Sequence, residues 1–80
     1  MKLRNITEVD GFIKTVDSCK GSVWLESPDG DIFNLKSKFS QYVAIGALLG
    51  ADGDKLELFC SNTSDEYRFF SFFYDNPSVN

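Results

Sequence analysis

Apolar residues recur along this chain at two spacings, and the switches between them mark out its elements. Val9, Phe12, Ile13 and Val16 fall on an arc of roughly 100° of a 3.6-residue helix, with Cys19 at its edge and Gly11, Lys14, Asp17 and Ser18 opposite. Thr7 is placed to cap that helix, with Glu8 and Asp10 in its first turn, and Lys20-Gly21 to end it. Leu3 sits in a short opening segment that suits an edge strand. Ser22 to Glu26 reads as a strand by composition. Ser27-Pro28-Asp29-Gly30 is a turn with Pro second and Gly fourth, and Asp31 to Leu35 returns as the second arm of a hairpin.

Ser37 then opens a second helix on which Tyr42, Ile45, Gly46 and Leu49 share a face, with Phe39 and Val43 beside them. A mid-helix glycine costs roughly 1 kcal/mol against alanine, so Gly46 predicts a close approach to a neighbour. Gly50 stops the helix, and Ala51 to Asp54 is a polar loop. From Lys55 to Ser61 the alternation is strict, with Leu56, Leu58 and Cys60 on one side and Glu57, Phe59 and Ser61 on the other. Thr63 and Glu66 have the spacing of a capping box. The last helix carries Phe69, Phe70, Phe73 and Tyr74 as its predicted core face, leaves Phe72 outside it beside Arg68, and stops at Asn76-Pro77.

The predicted order is β-α-β-β-α-β-α. A mostly antiparallel four-stranded sheet with three helices on one face is the economical layering of an α+β chain of this order. The eighty residues form one domain over 1–80, with 76–80 as a loose tail. A chain this short hides only about 60% of its unfolded surface, so large rings are an efficient way to build the core. Phe supplies eight of the twelve aromatic residues.

Charge and chemistry narrow the function by exclusion. The net charge of −4, with the eight basic residues scattered, argues against nucleic acid and against an anionic membrane. No apolar run has spanning length, and Met1 to Asn5 lacks the apolar stretch of a secretory signal, which points to the cytoplasm. There is no histidine, and Cys19 and Cys60 are not in a C-x-x-C arrangement. A disulfide between them is open by count, but two buried thiols suit an intracellular chain better. The Asp29-Gly30-Asp31 and Asp52-Gly53-Asp54 steps lack the further ligands of a calcium loop and read as turns. No cofactor, metal site or catalytic constellation follows from these residues.

The alternation has a consequence for the other side of the sheet. If Val23, Leu25, Phe33, Leu35 and Leu58 face the helices, Trp24, Ile32 and Phe59 face away, rimmed by Glu26 and Glu57. Such a patch is either cross-strand packing within one sheet or a surface for a protein partner or a second copy.

The element order and the residues at its centre resemble the histidine-containing phosphocarrier (HPr) family of the bacterial sugar phosphotransferase system. The likeness rests on Asn34-Leu35-Lys36-Ser37, a strand end followed by Lys-Ser opening the second helix. Gly30 in the preceding hairpin and the acidic step Ser64-Asp65-Glu66 add to it. The resemblance implies an HPr-like open-faced β-sandwich of strand order 1-4-2-3. It also implies regulatory phosphorylation at Ser37, which otherwise reads as a plain helix cap, and partner docking around Lys36 and Lys38. Lys38 stands where the family usually has an apolar docking residue. The family's phosphoryl acceptor is a histidine that would fall within Ile6-Thr7-Glu8-Val9, and none is there. The resemblance therefore implies a non-catalytic regulatory or protein-interaction module modulated at Ser37. The alternative is a binding or self-association module unrelated to sugar transport, acting through Trp24, Ile32 and Phe59.

Overall fold

The structure is a computed structural model that describes residues 1–3, 8–50 and 53–77. Among these it contains three α-helices, α1 (Val9–Ser18), α2 (Lys38–Leu48) and α3 (Thr63–Asp75), and three strands, β1 (Val23–Glu26), β2 (Ile32–Asn34) and β3 (Glu57–Cys60). A 3-10 turn, Gly53–Lys55, leads into β3. The strands form one antiparallel sheet in the order β2-β1-β3.

The α+β architecture is thus present, with three strands among the described residues where the sequence predicts four in the chain. The opening segment contributes one isolated bridge, Lys2 to Glu57, on the free edge of β3. Met1 supports it on both sides: its amino group donates to the Leu58 carbonyl at 2.7 Å, and its carbonyl accepts from the Leu58 N–H at 2.7 Å. Among the described residues the pairing is a single antiparallel bridge.

The hairpin forms as its residues require. Gly30 N–H closes the turn on the Ser27 carbonyl at 3.0 Å, and Gly30 takes φ +92°, a conformation that glycine adopts without a side-chain clash. The register sets Leu25 opposite both Phe33 and Leu58, and Trp24 opposite both Asn34 and Phe59. Val23, Leu25 and Leu58 are fully buried beneath Phe12 and Val16 of α1, Ala44 and Leu48 of α2, and Phe69, Phe72 and Phe73 of α3. All three helices therefore cover one face, and Trp24, Ile32 and Phe59 lie on the other.

Several local expectations are corrected. Thr7 as cap of α1 lies outside the described residues. That helix ends at Ser18 rather than Lys20-Gly21, because Cys19 turns extended and the next two N–H groups are held by Asp65. The Thr63–Glu66 capping box is absent: Asn62 is the N-cap of α3, no side chain caps it, and Thr63 is already helical. On α3 the buried face is Asp65, Phe69, Phe72 and Phe73, while Phe70 and Tyr74 are exposed. Phe72 turns in because α1 lies beside it, its ring 6.2 Å from that of Phe12.

The largest correction concerns α2. Its buried side chains are Gln41, Ala44 and Leu48; Phe39, Tyr42, Val43 and Leu49 face solvent. Gly46 faces open space, with nothing within 4 Å of where a Cβ would stand. The close approach belongs to Gly53, whose Cβ would fall 1.9 Å from the Leu48 carbonyl oxygen.

Candidate functional site

The junction between β2 and α2 holds three of the predicted site residues, and each has a structural partner or position. Lys36 N–H donates to Asn34 Oδ1 at 2.9 Å, a local turn that swings the chain off the sheet. The Lys36 ammonium reaches the Val16 and Cys19 carbonyls at 3.1 and 2.7 Å. These lie at the C-terminal end of α1, where a cation satisfies orphan carbonyls and complements the helix dipole. Ser37 is the N-cap of α2 by position, half-buried, and makes no side-chain capping hydrogen bond. Lys38 pairs with Asp17 at 3.2 Å.

Below this junction the buried Gln41 amide donates to the Leu35 carbonyl at 3.1 Å and to Asp17 Oδ1 at 3.3 Å. Hydrogen bonds from Lys38 and Gln41 hold the Asp17 carboxyl below its ordinary value. This network fixes the rotation of α2 about its axis. A buried amide with two oriented acceptors tolerates little turning. It also decides which residues of α2 point outward.

That the face grouped by the sequence points outward is the feature that reasoning from the sequence missed. Phe39, Tyr42, Val43, Gly46 and Leu49 line it, and beside Tyr42 a shallow groove between α1 and α2 of about 370 Å³ is lined by Val9, Ile13, Lys14 and Lys38. One signal for it was present: α2 carries a single charged residue, Lys38, so neither of its sides is marked as the solvated one.

The other predicted patch is drawn together in part. Trp24 and Phe59 stack across β1 and β3 with centroids 5.8 Å apart and planes at 18°, and each is half-buried. The Trp24 indole N–H donates to Glu26 Oε2 at 2.9 Å. Ile32 stands exposed opposite Glu26. Glu26 and Glu57 face one another across the sheet, a like-charge pairing that Lys2, 3.6 Å from Glu57, relieves.

The two thiols are free, Cys19 buried and Cys60 half-buried. Burial raises both, Cys60 to about 11, so neither supplies a thiolate near neutral pH. Among the described residues no cluster of metal-ligating side chains is present, and no helix is long and apolar enough to cross a membrane.

In comparison with known proteins, no family model, no curated protein and no solved structure matches this chain.

Proposed function

We propose that this protein is a non-catalytic protein-interaction module that binds through the outer face of α2. The observation that carries the reading is the exposure of Phe39, Tyr42, Val43 and Leu49 along one side of a helix whose other side is anchored by Gln41. Apolar side chains gathered in one patch mark surfaces that another protein covers. Ser37 stands at the N-terminal end of this face, flanked by Lys36 and Lys38. A phosphoryl group there would be favoured by the helix dipole and would set a double charge beside Phe39, making the serine a regulatory position. The test is affinity capture with purified wild type and Tyr42→Glu, using extracts of cells that express the protein. A discrete partner held by wild type and lost by Tyr42→Glu supports the reading; identical captures by both chains overturn it.

A second reading keeps the scaffold in view. In it the chain is an HPr-like relative that has lost the phosphocarrier chemistry. The observation favouring it is the position of Met1 and Lys2 on the free edge of β3, which extends the order β2-β1-β3 toward a 1-4-2-3 arrangement. Without an imidazole, incubation with the phosphoryl donor enzyme of the sugar phosphotransferase system yields no acid-labile phosphate on the chain. Appearance of such a phosphate removes the reading.

A further inference from the structure

Resting on the reading of α2 as a binding face, we infer that its occupant is a second copy of this chain, joined by antiparallel α2–α2 packing about a two-fold axis. The spacing of the face is the first argument. Phe39, Tyr42, Gly46 and Leu49 follow one another at intervals of three, four and three residues, so the row reads the same in both directions. In an antiparallel pairing centred on the level of Ala44, Phe39 of one copy stands against Leu49 of the other. Tyr42 stands over Gly46 of the other copy. The match occurs twice by symmetry, as a self-complementary interface requires.

Gly46 gives this register its shape. It is the gap in the row, with nothing within 4 Å of a Cβ, and a phenol ring can lie on its bare backbone. A mid-helix glycine with no neighbour in its own chain finds its neighbour in the partner. The other exposed aromatic stripe, Tyr67, Phe70 and Tyr74 on α3, has no glycine in its row.

Area and charge agree with this assignment. Phe39, Tyr42, Val43 and Leu49 are 80%, 75%, 48% and 60% exposed. With aromatic side chains of about 150–250 Å² each, the four present about 500 Å² per copy, so a dimer covers about 1,000 Å² in total. That is the lower bound for a specific interface and describes an association that appears as concentration rises. Two copies each carrying a net charge of −4 repel one another. α2 itself carries no carboxylate, and the groove beside Tyr42 sets Lys14 and the Asp17-paired Lys38 against a single carboxylate, Asp10, so no net negative charge opposes approach there.

Sedimentation velocity of the full chain from micromolar to millimolar concentration tests this. Wild type passes from monomer to dimer. Gly46→Glu, whose Cβ meets nothing within 4 Å in its own copy, raises the dissociation constant at least tenfold while far-UV circular dichroism stays unchanged. Tyr42→Lys does the same with the opposite change of charge, so a loss in both variants is not a net-charge effect. Trp24→Ala, on the open sheet face, associates as wild type does. A wild type that stays monomeric overturns the inference, as does a folded Gly46→Glu and Tyr42→Lys pair that dimerises normally, or a Trp24→Ala chain that is folded but monomeric. A monomeric wild type that still captures a different protein through Tyr42 sinks the second copy and leaves the interaction module standing. A monomeric wild type that captures nothing sinks both.

Discussion

Helices α3 and α2 both carry aromatic side chains, and α3 buries three of its rings where α2 buries none. In α3, Phe69, Phe72 and Phe73 turn inward, and the Phe69 and Phe72 rings lie 6.0 and 6.2 Å from that of Phe12. In α2, Phe39 and Tyr42 turn outward, and the sheet side is made of Ala44, Leu48 and an amide. Ring content differs, six on α3 and two on α2, but it does not decide which way a ring turns. α3 lies over β3 with α1 alongside, so two neighbours are available to cover its rings. α2 rests on β2, the short strand at the sheet's edge. Each helix is also held in rotation by one buried polar group, Asp65 on α3 and Gln41 on α2. The rings then go where that anchor leaves them: on α3 Phe69, Phe72 and Phe73 inward and Tyr67, Phe70 and Tyr74 outward, and on α2 both rings outward.

The sharpest way to break this comparison is to truncate one ring on each helix. Phe69→Ala removes a fully buried ring that touches Phe12 and Phe73, and its expected cost is about 3–5 kcal/mol. Phe39→Ala removes a ring that is mostly in water, and monomer stability should move by no more than about 0.5 kcal/mol. Urea unfolding at low protein concentration checks both. Equal losses would mean that α2 packs its aromatic face inside.

A smaller pair of effects, of opposite sign, comes from the two glycines that bracket the end of α2. A Cβ at Gly53 would strike the Leu48 carbonyl carbon and oxygen, both backbone atoms that cannot step aside as a side chain would. Gly53→Ala is expected to cost about 1–3 kcal/mol through displacement of the 3-10 turn. A Cβ at Gly46 meets nothing, so Gly46→Ala should gain about 0.4–1 kcal/mol in the monomer by removing glycine's conformational freedom in the unfolded chain. Thermal melts of the two variants in opposite directions from wild type are the expected result.

The same two glycines show how far the sequence was legible. Strand alternation was clear because one face of β1 and of β3 turns to the core: Val23, Leu25 and Leu58 are inside, and Trp24 and Phe59 meet on the far side. The α1 stripe was clear because polar residues back it. The face of α2 was not, since apolar residues lie on both of its sides and pattern alone cannot choose between them. Its orientation was settled by Gln41 and Leu35, a hydrogen bond six residues apart that no hydropathy period encodes. The pattern therefore points to Gly46 for the close approach that Gly53 makes. At the candidate site the Lys36-Ser37-Lys38 junction was visible as a helix start, but the destinations of the two ammonium groups, Val16, Cys19 and Asp17, depend on tertiary placement of α1.

The smallest effect expected is that of a single proton, at the anchor of α3. Asp65 is buried, and its carboxylate accepts from Gly21 N–H at 2.8 Å and from Lys20 N–H at 3.1 Å, with Arg68 Nε 3.6 Å away. Ser61 Oγ, which accepts from the Ser22 N–H, would lie 2.5 Å from a Cβ on Gly21, so a larger residue there has to move that hydroxyl. Those hydrogen bonds, the one from Gly21 first, favour the charged form and hold the carboxyl below its ordinary value of 3.8. With the folded value depressed, the unfolded chain binds more protons in the interval between the two, so stability rises with pH there. The contribution is complete above about pH 5 and is lost as pH falls through the ordinary carboxylate range toward the folded value. Urea midpoints measured from pH 7 down to pH 3 should fall on the acid side for wild type. Asp65→Asn should start lower at neutral pH and decline less. Asp17, also depressed but exposed beside Lys38, should leave a shallower residual slope in that variant. If Asp65→Asn reproduced the full acid decline of wild type, the rotation of α3 would have to be held by its rings alone, and the contrast with α2 would lose its polar anchor.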